Sequence, residues 1–490
     1  MKIFNSNMFS MVRMEKKKQM LTYSFSDIGP VPLYQHLYKC LKNDILQGIL
    51  HAGEKLPSKR SFAKNLGISV ITVETAYEQL IAEGYIYSIP KKGFFVNDVN
   101  TPVVEPHLPP VVEKTPVTPE KVQYIADFTS NQTTSERFPF SIWAKIMRGL
   151  LKDNQPELLT NSPSGGIYEL RNAIAQHLYS FRGMSVRPEQ IVVGAGTEYL
   201  YGLLIQLLGK DKRYGIENPG YHKLHKIYQS YGVPCNYISM DSQGIQIADL
   251  EKKDIDIVHI SPSHHFPTGI VTPVSRRYEL LGWAARSDKH YIIEDDYDSE
   301  FRLSGKPIPT LQSIDASEKV IYMNTFTKTL ASTVRISYMI LPEHLVEKFY
   351  SQLAFYSCTV SNFEQYTLAR FISEGYFEKH LNRMRNYYHE KRDHLLSIIE
   401  KNPKSRYVTI SEEDAGLHFL IKLNTRLSDS EFCRRMEKKG IKISSLSQYY
   451  AEPEEEIEHT FIINYSYLDE QQMEDAIELL LGESGENLSG

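Results

Sequence analysis

The sequence predicts a two-part protein: a small helical head ending in a β-hairpin, and a much larger α/β body. Three observations carry this. Residues 99–124, VNTPVVEPHLPPVVEKTPVTPEKVQY, hold prolines at 102, 106, 109, 110, 116 and 119, which forbid a regular helix and favour an extended spacer. Before that spacer, three amphipathic stretches separated by glycines lead into an alternating run with a Pro-Lys-Lys-Gly turn. After it, short β-rich runs alternate with longer helical patterns.

The chain has 490 residues, enough for two or three domains. It is 41% hydrophobic and 23% charged, the balance of an ordinary soluble protein. The four cysteines, Cys40, Cys235, Cys358 and Cys433, are scattered with no metal-like spacing, so free thiols in a reducing compartment are expected and a metal site is not. The N-terminus lacks the apolar run of a signal peptide, and no segment approaches the ~20 apolar residues of a membrane span. Residues 1–98 carry 13 Lys or Arg against 8 Asp or Glu, a net of +5 that leaves −10 on the rest. A basic head on an acidic body points to nucleic acid at the head.

In the head, Val31–Leu50 sets Leu33, Leu37, Leu41, Ile45 and Leu50 at helical spacing, with Gly48 and Gly53 marking the end. Pro57-Ser58 opens a second helix, with Ser58 as cap and Phe62, Ala63 and Leu66 inward, until Gly67. Ser69 starts a third, carrying Val73, Ala76, Tyr77 and Leu80, and Gly84 stops it. EGYIYSIPKKGFFV then alternates and turns at Pro90–Gly93. Three helices followed by a hairpin make a winged helix-turn-helix pattern over residues 1–98.

In the body, residues 125–490, the runs IVVGA (191–195), DIVHIS (256–261), YIIEDD (291–296) and VIYMN (320–324) read as buried strands. YLYGLLIQLL and YELLGWAAR are helical stretches between them. This is α/β layering around a mainly parallel sheet. From about Lys348 the pattern turns helical and then β-α, predicting a separate, smaller C-terminal α+β subdomain.

NTFTKTLASTVR, residues 324–335, sets Lys328 between a Thr-Phe-Thr run and a distant arginine. A lysine whose amine is partly uncharged attacks an aldehyde, and pyridoxal phosphate is the commonest cofactor that requires this. Such a site also needs an acid for the pyridine nitrogen and a cradle for the phosphate. Asp295 and Asp296 close an apolar run and are followed by Tyr297, whose hydroxyl suits the ring's phenolic oxygen; a solvated acidic loop is the plain alternative. Gly194–Tyr199 follows a strand and opens a helix, where free backbone N–H groups suit a phosphate. Thr325, Thr327 and Arg335 complete the cradle. Tyr221 offers a ring that stacks on the cofactor or else anchors its loop.

TFTKTLASTVR resembles the lysine segment of fold-type I pyridoxal-phosphate enzymes, the aspartate aminotransferase superfamily. GAGTEY, ENPGY and EDDYDSEF stand in the same order and at similar distances, and NSPSGGIYELRNAIAQHL and EDAGLHF extend the likeness from about residue 125 to the C-terminus. The resemblance implies pyridoxal 5'-phosphate as cofactor. It implies Lys328 as the Schiff-base lysine, Thr325 and Arg335 on the phosphate with the Gly196–Thr197 turn, Asp295 at the pyridine nitrogen, Tyr297 at the phenolic oxygen and Tyr221 against the ring.

GEKLPSKRSFAKNLGISVITVETAYEQL and EGYIYSIPKKGFFV resemble the GntR-type winged helix-turn-helix. That likeness implies a helix from Ser69 to Leu80 in the major groove of promoter DNA, with Lys59, Arg60, Ser69, Thr72, Thr75, Lys92 and Gly93 as the DNA-contacting set. Arg60 taken alone also reads as a solvated helix residue. A GntR-like head on an aminotransferase-like body is similar to the MocR (GabR-like) group of bacterial regulators. The group implies a cytoplasmic, DNA-associated, head-to-tail domain-swapped homodimer whose body senses a small molecule.

Three departures refine the expectation. The GntR pattern Ser-Arg-x-Thr is here Ser69-Val70-Ile71-Thr72, leaving Lys59, Arg60, Lys64, Lys91 and Lys92 to supply the electrostatics. The aminotransferase pattern Asn-Pro-x-Gly falls on HHFPTG, where Phe266 has no donor and His264 or His265 is left to make that contact. Gln448 stands where a carboxylate-gripping arginine is sought, with Lys223 as a nearby cation to Tyr221 in sequence. The expected effector is therefore an amine, an amino acid, a dipeptide or pyridoxal phosphate itself. Two other readings stand beside the sensor: a catalytically active aminotransferase with a DNA-binding appendage, and a DNA-binding protein whose body only dimerises.

Overall fold

The computed structural model describes residues 21–25, 31–99, 124–130, 137–302, 308–414, 416–452 and 457–484. It divides into two compact units, residues 1–120 and 121–490. The proline-rich spacer lies outside the described residues apart from its two ends.

The first unit holds helices Leu33–Leu46, Lys59–Leu66 and Val70–Ala82. The hydroxyls predicted to start the last two do so: Ser58 accepts from the Ser61 N–H at 3.2 Å and Ser69 from the Thr72 N–H at 3.1 Å. Leu37, Leu41, Phe62, Val73, Ala76, Tyr77 and Leu80 form the core. Leu33 does not join them; it stays exposed in the first turn of its helix. Strands Ile86–Ile89 and Gly93–Val96 pair antiparallel as the wing and close the core with Ile86 and Val96.

The second unit is built on an eight-stranded sheet. Its order is Ile191–Gly194, Ser337–Ile340, Val320–Thr325, Tyr291–Asp295, Ile257–Ile260, Tyr214–Asn218, Cys235–Asp241 and Gly244–Ile245. The five strands from Val320–Thr325 to Cys235–Asp241 run parallel, and Ser337–Ile340 is antiparallel to both neighbours. The four predicted strands are present. Tyr214–Asn218, Cys235–Asp241 and Ser337–Ile340 were not legible, because two carry tyrosine beside glycine or polar residues and the third is a four-residue run just behind Arg335. Helices Thr197–Leu208 and Val274–Ala285 cover opposite faces, the first over Val192, Ile321 and Met339, the second over Val258, Ile292 and Val320.

The smaller subdomain is a four-stranded antiparallel sheet in the order Val408–Ser411, His418–Leu423, Thr460–Asn464, Ser444–Ser445. It begins later than the sequence pattern indicates. Helices Glu343–Leu353 and Asn362–Ser373 pack on the large sheet's cores through Phe349, Leu368 and Phe371. The 26-residue helix Tyr376–Lys401 makes the transition: Phe377 and Leu381 join the large core, whereas Met384, Tyr388, Leu395 and Ile399 join the small one. The start of the body also returns here, since Ala126–Asp127 pairs parallel with Ile441–Lys442. Among the described residues no helix is long and apolar enough to cross a membrane, and no group of His, Cys, Asp and Glu is placed to hold a metal ion.

Candidate functional site

Four adjacent parallel strands end on one side of the large sheet, and the chain leaving each end turns into a cavity of about 400 Å³. Ligand sites form at carboxyl ends of parallel strands because the loops there diverge and leave a crevice. Glu217 and Tyr221 come from the first end, Ser261 and Phe266 from the second, Asp295 and Tyr297 from the third, Thr325, Thr327 and Lys328 from the fourth. Gly196, Thr197 and Arg335 also line the cavity, so nine of the ten residues predicted around a cofactor converge on it.

Lys328 is buried. Burial penalises the ammonium and pulls its pKa down to about 8, while the Asp298 carboxylate pulls the other way. At neutral pH about a tenth of such an amine is uncharged, against about one in three thousand for an ordinary lysine.

Asp295 and Asp296 face different tasks because successive strand residues point to opposite sides. Asp295 lines the cavity; one oxygen accepts from the Tyr201 hydroxyl at 2.6 Å, with His259 Nε2 3.4 Å away. Its other oxygen, Oδ1, is buried with no partner among the described residues. Asp296 is turned into the fold, where it accepts from Arg182 at 2.5 Å, Tyr322 at 2.7 Å and Ser299 at 2.8 Å. The buried Arg182–Asp296 pair fixes the loop that carries Tyr297.

The phosphate-type cradle is assembled from distant segments. Gly196 caps helix Thr197–Leu208 at φ +95°, and a Cβ there would stand 2.7 Å from Arg335 Nη2, so glycine admits the guanidinium against the helix N-terminus. Thr325 and Thr327 join hydroxyls at 2.7 Å, and Ser337 donates to Thr325 at 2.8 Å. Arg335 lies 3.6 Å from Glu198, which also pairs with Lys223.

His264 is the predicted cofactor residue that does not line this cavity. Its Nδ1 lies 2.8 Å from Asp298 and 3.4 Å from the Tyr297 hydroxyl, so it stands behind the wall and braces two residues at it. Its ring reaches Gly416 of the small subdomain so closely that a Cβ there would meet His264 Cε1 at 1.9 Å. His265 is buried too, its pKa lowered to about 3 by burial, and it bonds Thr268 at 2.7 Å. Phe266 itself lines the cavity and meets Tyr221, His418 and Tyr449 edge-on at 6.1, 5.3 and 5.2 Å. Gln448 turns its amide toward Cys433 Sγ at 3.9 Å.

Sequence reasoning did not find Tyr201, His259, His418, Tyr449 or Asn464, all of which line the cavity. Tyr201 was recoverable, since it lies four residues past Thr197 on the helix whose start was already suspected. His259 lies in the predicted strand run DIVHIS and His418 in EDAGLHF, but neither was singled out, and Tyr449 and Asn464 come from segments with no motif of their own.

In the head, Arg60 and Lys92 are exposed and Gly93 opens the second wing strand at φ +113°. Lys59 is engaged within the fold, where the sequence indicated a DNA contact: its ammonium bonds Glu74 at 2.6 Å and lies 5.5 Å from the Phe94 ring. Ser69 and Thr72 have hydroxyls 2.8 Å apart, and the Thr75 hydroxyl donates to the Ile71 carbonyl at 3.0 Å. Val70 and Ile71 are 42% and 73% exposed.

These parts define a class: a winged helix-turn-helix carried by a protein whose body has the aminotransferase fold. The model of the aminotransferase class I and II family matches residues 125–480, and that of the bacterial regulatory proteins of the gntR family matches residues 33–96. Among relatives, the HTH-type transcriptional regulator YdeL of Bacillus subtilis is 39% identical over 86% of this chain and 90% of its own. The probable rhizopine catabolism regulatory protein MocR of Rhizobium meliloti is 31% identical over 92% of this chain and 93% of its own. Among solved structures, kynurenine aminotransferase of Pyrococcus horikoshii shares the body's fold, with a TM-score of 0.65 at 24% identity over 76% of this chain and 93% of that one. The chain belongs to the MocR-type transcriptional regulators, in which a GntR-type helix-turn-helix is joined to an aminotransferase-like domain.

Proposed function

We propose that this regulator uses pyridoxal 5'-phosphate at Lys328 to sense an amine-bearing effector, and that it does so as a cytoplasmic homodimer on promoter DNA. Residues 1–98 bind the DNA, 99–124 are the spacer, and 125–490 hold the cofactor and dimerise. The carrying observation is the unpartnered, buried Oδ1 of Asp295 in the same cavity as a lysine whose pKa is lowered to about 8. A buried acceptor without a donor is costly, and a protonated ring nitrogen supplies that donor.

The residues present fit the group. Arg335, Thr325, Thr327 and the N–H groups at Gly196 and Thr197 take the phosphate. Asp295 holds the proton at the ring nitrogen, and Tyr201 and His259 hold Asp295 in place. Tyr297 serves the phenolic oxygen, braced by His264. Tyr221 covers the ring. Bound there, the cofactor offers an aldehyde that exchanges reversibly between primary amines, which is the property a sensor of amines needs. Lys328 is the resident amine, and its lowered pKa keeps part of it reactive at neutral pH.

The effector is an amine, an amino acid, a dipeptide or pyridoxal phosphate itself. The aromatic wall of Phe266, Tyr221 and Tyr449 favours one with an apolar flank. The test is DNA binding by fluorescence anisotropy with candidate amines present. One amine should change affinity or half-site spacing preference, and Lys328→Ala should remove that response. Steady keto-acid production from the same amine would instead support the aminotransferase reading.

A further inference from the structure

We propose that Val70 and Ile71 read thymine methyl groups in the major groove, so that this chain selects DNA by an apolar contact at the start of its recognition helix. The inference rests on the DNA-binding reading of the head and extends it to the bases recognised.

Helix Val70–Ala82 buries Val73, Ala76, Tyr77 and Leu80. Its opposite face carries Ile71, Thr75, Glu78 and Ala82, spaced along one side of the helix. Ile71 is 73% exposed, more than any other large hydrophobic among the head's described residues, and Val70 beside it is 42% exposed. Neither contributes to the head's core. Two β-branched aliphatic residues in water at the first turn of a helix are unfavourable unless something apolar covers them.

The surrounding groups define what covers them. The first turn carries no acidic residue. Glu74, the acid nearest along the helix, is paired with Lys59 at 2.6 Å. Glu78 lies two turns further on, which favours entry by the Ile71 end into a field of phosphates. The Thr75 hydroxyl is bonded to the Ile71 carbonyl at 3.0 Å, and Ser69 and Thr72 bond each other, so the hydroxyls of this turn are engaged in holding the helix. The exposed cations Arg60, Lys64, Lys91 and Lys92 lie on the preceding helix and the wing, where they suit phosphates rather than base edges. Helix-turn-helix proteins present the N-terminal residues of this helix to base edges. In the major groove the one apolar feature of a base pair is the C5-methyl of thymine, and aliphatic side chains pair with it.

The test uses the full chain with pyridoxal 5'-phosphate present. A preferred duplex is first selected from random-sequence DNA. Each thymine of that duplex is then replaced by deoxyuridine, which removes only the methyl. Burial of one methyl corresponds to about a four-fold change in affinity. One or two positions should therefore lose about four-fold each. Ile71→Ala should lose the methyl discrimination at one of these positions, and where there are two, Val70→Ala should lose it at the other, each with the wild-type Tm. Ile71→Val should restore part of the discrimination. A selected duplex in which no deoxyuridine substitution matters would overturn the proposal and leave DNA binding intact. A methyl effect that survives in both Ile71→Ala and Val70→Ala overturns the assignment to these residues. No enrichment of any sequence overturns the selective reading of the head together with this proposal.

Discussion

The carboxylate of Asp295 is held by one oxygen: Tyr201 donates to Oδ2 at 2.6 Å, and Oδ1 is buried with no partner among the described residues. A one-sided grip leaves the acid oriented and still able to accept. Replacing it by asparagine keeps the shape and removes the charge. Asp295→Asn should weaken pyridoxal phosphate binding about 10- to 100-fold, the worth of a charge-assisted hydrogen bond, with the melting temperature of the cofactor-free protein little changed. An absorbance titration with the cofactor measures this.

Lys328 sets a pH dependence. Its folded pKa of about 8 lies below the value of 10.5 for an ordinary lysine, so the unfolded chain binds more protons between those two pH values. Stability of the cofactor-free protein therefore rises as pH goes from 8 toward 10.5, and below pH 8 the buried charge costs about 3 kcal/mol. Lys328→Met should be more stable than the wild type at pH 7, with the difference shrinking above pH 8. The rate of covalent cofactor attachment to the wild type should fall about tenfold per unit below pH 8. Asp298→Asn removes the charge that supports the ammonium and should move that midpoint down.

Arg335 separates binding from stability. It is half exposed and its recorded ion pair, with Glu198, is 3.6 Å long. Arg335→Ala should weaken the cofactor at least about tenfold, the loss of a charge-assisted contact, while shifting the melting temperature little. A large melting shift without loss of cofactor affinity would contradict the assignment.

Two glycines make a paired test. Gly416 has φ +70° and abuts His264 at what would be 1.9 Å, whereas Gly282 lies inside helix Val274–Ala285 with nothing within 4 Å of a new Cβ. Gly416→Ala should cost about 2–4 kcal/mol through strain and overpacking where the small subdomain meets His264. Gly282→Ala should gain up to about 1 kcal/mol from helix propensity. Chemical denaturation of both variants checks the contrast.

The head makes a prediction in salt. Arg60 is exposed, whereas Lys59 is bonded to Glu74. Arg60→Ala should reduce the slope of log affinity against log salt by about 0.9, the release of one counterion. Lys59→Ala should change it less, because its charge is already partly neutralised.

The local chemistry of the chain determined much of this protein. Serines at 58 and 69 start helices because their hydroxyls cap free N–H groups. Apolar runs ending in Asp295 and Asn324 become strands because both faces are covered. A Thr-x-Thr-Lys stretch after a strand points into a crevice because strand ends do. These are near-neighbour effects, written within ten or so residues. Only the tertiary structure decided what depends on segments far apart. The lowered pKa of Lys328 comes from burial by the rest of the body. His264 sits behind the wall because Asp298 and Gly416 hold it there. Tyr201 meets Asp295 from 94 residues away, and His418, Tyr449 and Asn464 reach the cavity from the small subdomain. Ile71 is exposed because Val73, Ala76 and Tyr77 fill the face of its helix that packs into the head's core. Pattern gives the period of a helix; which face the rest of the chain covers is settled by packing.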